Sequence, residues 1–170
     1  MQRNIIYGLE LKGVEKKEAK VRAEAYIEMV HLSGFEKHLP HQLSGGMQQR
    51  VNIARALVCE PEVLLLDEPF AALDAITRQT MQNELLSLWE KTRKTVLMVT
   101  HQIDEAVLLS DRVIVFSARP ASIVEEIRIS LPRPRSPQVR ENPQFDRLAK
   151  KIWSLIHSTA ERKEGQEYEI

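Results

Sequence analysis

The chain has 170 residues, 43% hydrophobic and 28% charged, the make-up of an ordinary globular protein with room for one real core. Its 24 basic residues balance 24 acidic ones, so no excess of positive charge marks a nucleic-acid-binding domain. No apolar run approaches the ~20 residues of a membrane span, MQRNIIYGLELKG at the start is too polar for a secretory signal, and the single Cys59, unable to pair within the chain, fits a reducing cytoplasm.

Residues Val14 to Leu32 predict a helix, with Val21, Ala25 and Met29 on one face and Ile27 and Val30 widening it. After Ser33-Gly34 and a loop with Pro40 comes LSGGMQQR, Leu43 to Arg50. From Gly46 to Val58 the period is helical again, Met47, Val51, Ala54 and Val58 forming a stripe before Pro61. The four apolar residues VLLL in Glu62 to Leu66 predict a strand buried on both faces of a parallel sheet, ending on Asp67-Glu68-Pro69. Asp74 reads as the N-cap of a helix from Ala75 to about Lys91, with Ile76, Met81, Leu85, Leu88 and Trp89 on its apolar face. TVLMVT, Thr95 to Thr100, is a second buried strand, ending on His101. A short helix from Asp104 to Leu109 and a strand from Arg112 to Phe116 follow. Ile123 to Leu131 alternates, with Ile123, Ile127, Ile129 and Leu131 on one side, as in a half-exposed antiparallel strand. LPRPRSP, Leu131 to Pro137, reads as an extended connector. Asn142-Pro143 starts a last helix with the stripe Phe145, Leu148, Ile152, Leu155 and Ile156, and the charged tail from Glu161 is expected to fray. Strands alternating with amphipathic helices predict an α/β fold.

Four features carry chemistry. Ser44 is suited to cap a helix and to bond a phosphate oxygen, and Gly45 and Gly46 let backbone N–H groups approach an anion. Asp67 and Glu68 leave a parallel strand at the carboxyl edge where α/β proteins bind ligands; one acid there suits Mg²⁺ held through water, the other a proton taken from an attacking water. His101 ends the next strand, where an imidazole can bond a phosphate oxygen. The fourth is Ala71-Ala72-Leu73-Asp74. Taken singly, each also has an ordinary reading: a capped helix, solvated loop acids, a structural histidine, a helix cap. His31, His38, His41 and His157 read as ordinary histidines, and the pair His38-Leu-Pro-His41 has no partner acids or cysteines at metal-ligand spacing. The chain has no G-x-x-x-x-G-K-[ST] phosphate loop.

The ordered set LSGGMQQRVNIARAL, VLLLDEPFAALD and VTHQIDEA resembles the ATP-binding subunits of ABC transporters, from about Asn4 to Pro134. LSGGMQQR is similar to the signature motif, with Met47 where glutamine is common, VLLLDE to the Walker B strand and catalytic acid, AALD to the D-loop, and His101 to the switch histidine. SARPASIVEEIRISLPRPR resembles the nitrate/sulfonate/taurine-type importer branch.

The resemblance implies a partial P-loop NTPase fold, a mostly parallel sheet flanked by helices with part of the helical signature subdomain. Residues 1–42 would be a remnant of that subdomain, 43–60 the signature motif and helix, 61–135 the second half of the nucleotide-binding core, and 136–170 a C-terminal helix and tail. Ser44, Gly45, Gly46 and Gln48 would contact ATP held by an opposite subunit. Asp67 would hold Mg²⁺ through water, Glu68 would orient or deprotonate the attacking water, Asp74 would cross a dimer interface, and His101 would touch the γ-phosphate in its own subunit.

The implied protein is a peripheral ATPase on the cytoplasmic side of the plasma membrane. It would be dimeric, coupled to transmembrane permease subunits, served indirectly by a solute-binding protein, and would bind no nucleic acid. The family's Walker A loop and Q-loop would precede NIIYGL, so Met1 is expected to fall inside a domain, leaving a sheet edge and part of a core exposed and the chain alone inactive. A non-catalytic chain that completes a partner's ATP site through its signature helix is the alternative. A DNA-repair ATPase of the same superfamily fits less well, since no sustained heptads suggest its coiled coil.

Overall fold

The opening residues, to which periodicity assigns no element, form helix α1, Gln2–Leu11, with Ile5, Ile6 and Leu9 buried. A computed structural model describes residues 1–118 and 120–167, and side-chain burial as far as Ser158. The chain divides into two compact units, Met1–Val99 and Thr100–Ile170. Arg119, in the run that resembles the importer branch, lies outside the described residues.

In the first unit, α1 packs against α2 (Lys16–Met29) and α3 (Gly45–Leu57). Ile5, Leu9, Ala19, Ala23, Ile27, Leu32, Val51, Ala54 and Val58 form their common core. The buried face of α2 is Ala19, Ala23 and Ile27, whereas Val21 is 62% exposed, contrary to the stripe that periodicity predicts. Two alanines four residues apart share one face and let neighbouring helices approach, and that closeness outweighs the larger side chain of Val21. Gly8 has a related reason: a Cβ there would lie 2.6 Å from Cys59 Sγ.

Strand β1 (Val63–Asp67) leads to helix α4 (Ala75–Thr92), and β2 (Thr95–Val99) returns to pair with β1 in parallel, Val63 opposite Thr95 and Asp67 opposite Val99. Helix α4 buries Met81, Leu85, Leu86 and Leu88 but leaves Ile76 80% exposed. It ends on Arg93 at φ +50°, and Trp89 Nε1 donates to the Lys94 carbonyl across the turn. Neither strand is buried on both faces. Leu64 and Leu66 are covered, but Val63, Leu65, Leu97 and Val99 are 48–69% exposed. An unbroken apolar run shows that a strand is suited to two covered faces, not that both are covered.

In the second unit, α5 (Ile103–Leu109) precedes β3 (Arg112–Phe116), which pairs antiparallel with β4 (Ile123–Arg128). Ile127, Ile129 and Leu131 are buried as their alternation predicts, but Ile123 is 64% exposed. The register slips by one residue at Val115/Phe116. That slip moves Ile123 off the face of Ile127, as any one-residue shift must. Helix α6 (Pro143–Glu167) begins at the expected Asn142-Pro143 pair, with Asn142 Oδ1 accepting from the Gln144 N–H. The helix continues through the tail from Glu161 as far as Glu167, beyond the expected fraying point; residues 168–170 lie outside the described residues. Among the described residues the strands form two separate pairs, a parallel one in the first unit and an antiparallel one in the second, where the resemblance implies a mostly parallel sheet. Among the described residues no helix is long and apolar enough to cross a membrane.

Candidate functional site

Helix α3 begins at Ser44, whose backbone is extended and whose Oγ accepts from the Met47 N–H at 3.3 Å. Ser44 and Gly45 are exposed, and no acidic residue stands in the first turn. The leading N–H groups of a helix have no carbonyl of their own helix to meet and carry the positive end of its dipole. Such a terminus, free of acids, is chemically suited to a phosphate oxygen.

The two glycines differ in purpose. A Cβ on Gly46 would lie 2.8 Å from Thr77 Cγ2, and one on Gly45 3.5 Å from Leu73 Cδ2. Gly46 thus meets a packing demand where α3 crosses the start of α4, a reason for glycine beside the close approach to a ligand that the sequence suggests. Gln48 reaches backward: its Nε2 donates to the carbonyls of Pro40 (3.0 Å) and Leu43 (3.1 Å), fixing the loop that delivers Ser44. Arg50 pairs with Glu84 on α4. The start of the signature helix and the AALD segment are therefore side by side.

Asp67, the last residue of β1, lies on the exposed face with Val63 and Leu65. Glu68, half-buried, takes a left-handed backbone at φ +44°. A non-glycine residue in that region carries a conformational cost of order 1 kcal/mol or more, and the turn is held in place by hydrogen bonds. The Glu68 N–H donates to the Val99 carbonyl at 2.9 Å, and its own carbonyl accepts from Ala71 at 3.2 Å. Phe70, 1% exposed, anchors the same turn. The turn sets the two carboxylates on successive residues at the end of the parallel pair.

Asp74 caps α4 as expected: Oδ1 accepts from the N–H groups of Ile76 (3.1 Å) and Thr77 (3.0 Å). A hydrogen bond from the Thr77 side chain, helped by these backbone donors, holds its carboxyl below the usual carboxylate range.

In the second unit, His101 is exposed and its Nε2 lies 3.1 Å from Gln102 Nε2. Thr100 braces this turn: Oγ1 accepts from the Gln102 N–H (3.0 Å) and donates to Glu105 Oε2 (2.8 Å). Glu105 is 4% exposed. Sequence reasoning singled out neither Thr100 nor Glu105; the only signal was the position of a threonine and a glutamate around the histidine at a helix start.

The donor set fits a magnesium nucleotide. Exposed Ser44 Oγ and the N–H groups heading α3 suit phosphate oxygens, and the hard carboxylate oxygens of Asp67 and Glu68 suit Mg²⁺ and its waters. These features sit on an α/β architecture whose ordered segments are those of a partial P-loop ATPase of the ABC type. Residues 2–71 match the family described as ABC transporter.

The chain is 54% identical over 154 residues to an uncharacterised ABC transporter ATP-binding protein of Methanocaldococcus jannaschii, covering 91% of this chain and 57% of that protein. It is 47% identical to the aliphatic sulfonates import ATP-binding protein of Bacillus cereus (89% of this chain, 58% of that one) and 41% identical to the nitrate import ATP-binding protein of Synechocystis (92% and 61%). Among solved structures, it is similar to the ATP-binding cassette MJ0796, solved as a dimer bound to ADP and Pi, with a TM-score of 0.61 and 36% identity over 75% of this chain and 56% of that one. The chain is similar to ABC transporter ATP-binding proteins over 89–92% of its own length, and it spans about three-fifths of the length of the curated relatives it matches.

Proposed function

We propose that this chain is part of the ATP-hydrolysing subunit of an ABC importer that takes up a small anion of the nitrate or sulfonate class, taurine included. The observation that carries this reading is the Ser44-capped, acid-free N-terminus of α3 packed beside the Asp74 cap, in one unit with the Asp67-Glu68 turn. Ser44, Gly45 and Gly46 present donors to the γ-phosphate of ATP gripped by a second subunit, and Gln48 holds the loop that aims them. Asp67 holds the waters of Mg²⁺, Glu68 orients or deprotonates the attacking water, and His101 bonds the γ-phosphate of its own subunit's nucleotide. Asp74 lies at the subunit boundary. Catalysis of this kind is positioning and charge stabilisation. When bound, Mg·ATP supplies the transferable phosphoryl group.

The dimer works against transmembrane permease subunits on the cytoplasmic side of the membrane, with a solute-binding protein delivering the anion. Relatives named for sulfonate and nitrate import support the solute class.

The test completes this chain with the part of the Methanocaldococcus relative that the match leaves uncovered. The chimera is expected to hydrolyse ATP, and, reconstituted with a cognate permease, to do so faster with a sulfonate- or nitrate-loaded binding protein. A folded chimera that binds ATP without turning it over would overturn the enzymatic reading. Stimulation by neither anion would overturn the solute class.

A further inference from the structure

The segment LPRPR, which the sequence reads as a plain connector, is bonded to the helix that starts beside His101. Helix α5 has only seven residues, too few to be stable alone. Its last carbonyls have no helical donor. Two of them and the carbonyl of the C-cap Ser110 are met by guanidinium groups: Arg135 Nη1 donates to Leu108 O (3.1 Å) and Ser110 O (2.6 Å), and Arg133 Nη2 to Leu109 O (2.9 Å). The positive charge there also suits the carbonyl end of the helix dipole.

Arg135 Nη2 carries the tie further, donating to Leu131 O (3.2 Å), Ile129 O (3.4 Å) and Asp111 Oδ1 (3.4 Å). Its side chain is fully enclosed. Arg133 Nε donates to the same Asp111 oxygen at 2.8 Å. Burial lowers the pKa of Arg135 and the neighbouring Arg133 adds to this, while Asp111 opposes it; an arginine remains a cation through such a shift. The other end of α5 is fixed by the Thr100–Glu105 bond, and Val107 and Leu108 between the two ends are completely buried. A short helix packed this tightly moves as a body. In the chain a single residue, the N-cap Gln102, separates His101 from the helix.

We propose that Arg135, assisted by Arg133, is a positioning residue for His101, acting through α5. The importance of His101 rests on the ATPase reading above; the mechanical coupling does not, and it is measurable without nucleotide. The test uses the 170-residue chain, labelled for NMR, with the ring signals of His101 and the amide exchange of residues 103–109 as paired readouts.

Arg135→Met is expected to speed exchange across α5 about tenfold or more and to move the His101 ring signals, with Arg135→Lys restoring part of both. Lys151→Ala, which breaks an exposed ion pair to Glu125 in the same unit, is expected to move neither. Should Arg135→Met fail to fold, Arg133→Met keeps the buried guanidinium and is expected to give smaller changes of the same kind. Faster exchange in α5 with unmoved His101 signals would reduce both arginines to a structural role and overturn the proposal, as would no change in either. ATP turnover by the chimera is a separate result, so failure of one reading leaves the other intact.

Discussion

The N-terminal turn of α3 and the carboxyl edge of β1 both carry residues of the ordered motifs, but they are built differently. Around α3 the surroundings are filled: Gln48 braces the incoming loop, Arg50 ties the helix to α4, and Gly46 fits closely against Thr77. At β1, one face is covered by Leu64 and Leu66 and the other presents Val63, Leu65, Leu97 and Val99 to solvent, with Asp67 at the end of that row. A surface that reads a ligand held elsewhere needs only its own support. On the proposed function, acids that act on a ligand held beside them stand at the end of an open apolar face, a surface on which further protein can be buried.

This contrast can be broken or sharpened by substitution. The largest effect is expected at Glu68. In the completed chimera Glu68→Gln should lower turnover by at least about a hundredfold while ATP-dependent dimers persist; near-normal turnover would remove Glu68 from its role.

Next come the two sides of β1. Leu66→Ala, on the covered side, should cost about 2–4 kcal/mol by chemical denaturation. Leu65→Thr, 69% exposed, should cost less than about 0.5 kcal/mol and should reduce aggregation of the chain. Equal costs would mean that the open face is not open in solution.

Smaller still is Gly46→Ala, expected to destabilise by about 1 kcal/mol through its contact with Thr77 Cγ2. Thr77→Ser, which removes that methyl and keeps the hydroxyl for Asp74, should relieve it. The smallest effect is expected at Asp74. Its lowered carboxyl pKa contributes stability above the unfolded value of about 3.9 and loses it as the pH falls through the lower folded value. The melting-temperature gap between wild type and Asp74→Asn should therefore close below about pH 4; a gap that persists there would assign the cap's contribution to geometry alone.

Much of this was legible in the chain. The order of motifs, the Asp74 and Asn142 caps and the strand–helix alternation all rest on local chemistry that a sequence displays. The failures share a cause: each depended on what lay opposite. Four apolar residues in VLLL give no sign of which neighbours are present. The face of α2 was decided by alanines that permit close approach, and Ile123 was turned outward by one unpaired residue, Val124, in its own strand's pairing with β3. In the site, residue types were readable but their packing and hydrogen-bond partners were not. Gln48 is occupied with loop carbonyls, Gly46 with Thr77, and the arginines of LPRPR with the end of α5, because hydrogen bonds to backbone carbonyls leave no pattern in the residue that accepts them.

The central claim, that the α3 terminus serves a nucleotide held by another chain, is tested most directly by association. This chain is titrated, by calorimetry, into the full-length Methanocaldococcus relative with and without a non-hydrolysable Mg·ATP analogue. Binding should require the nucleotide and should weaken at least about tenfold with Ser44→Glu, which sets a negative charge against the phosphate. Equal association without nucleotide, or micromolar binding of the analogue by this chain alone, would contradict it.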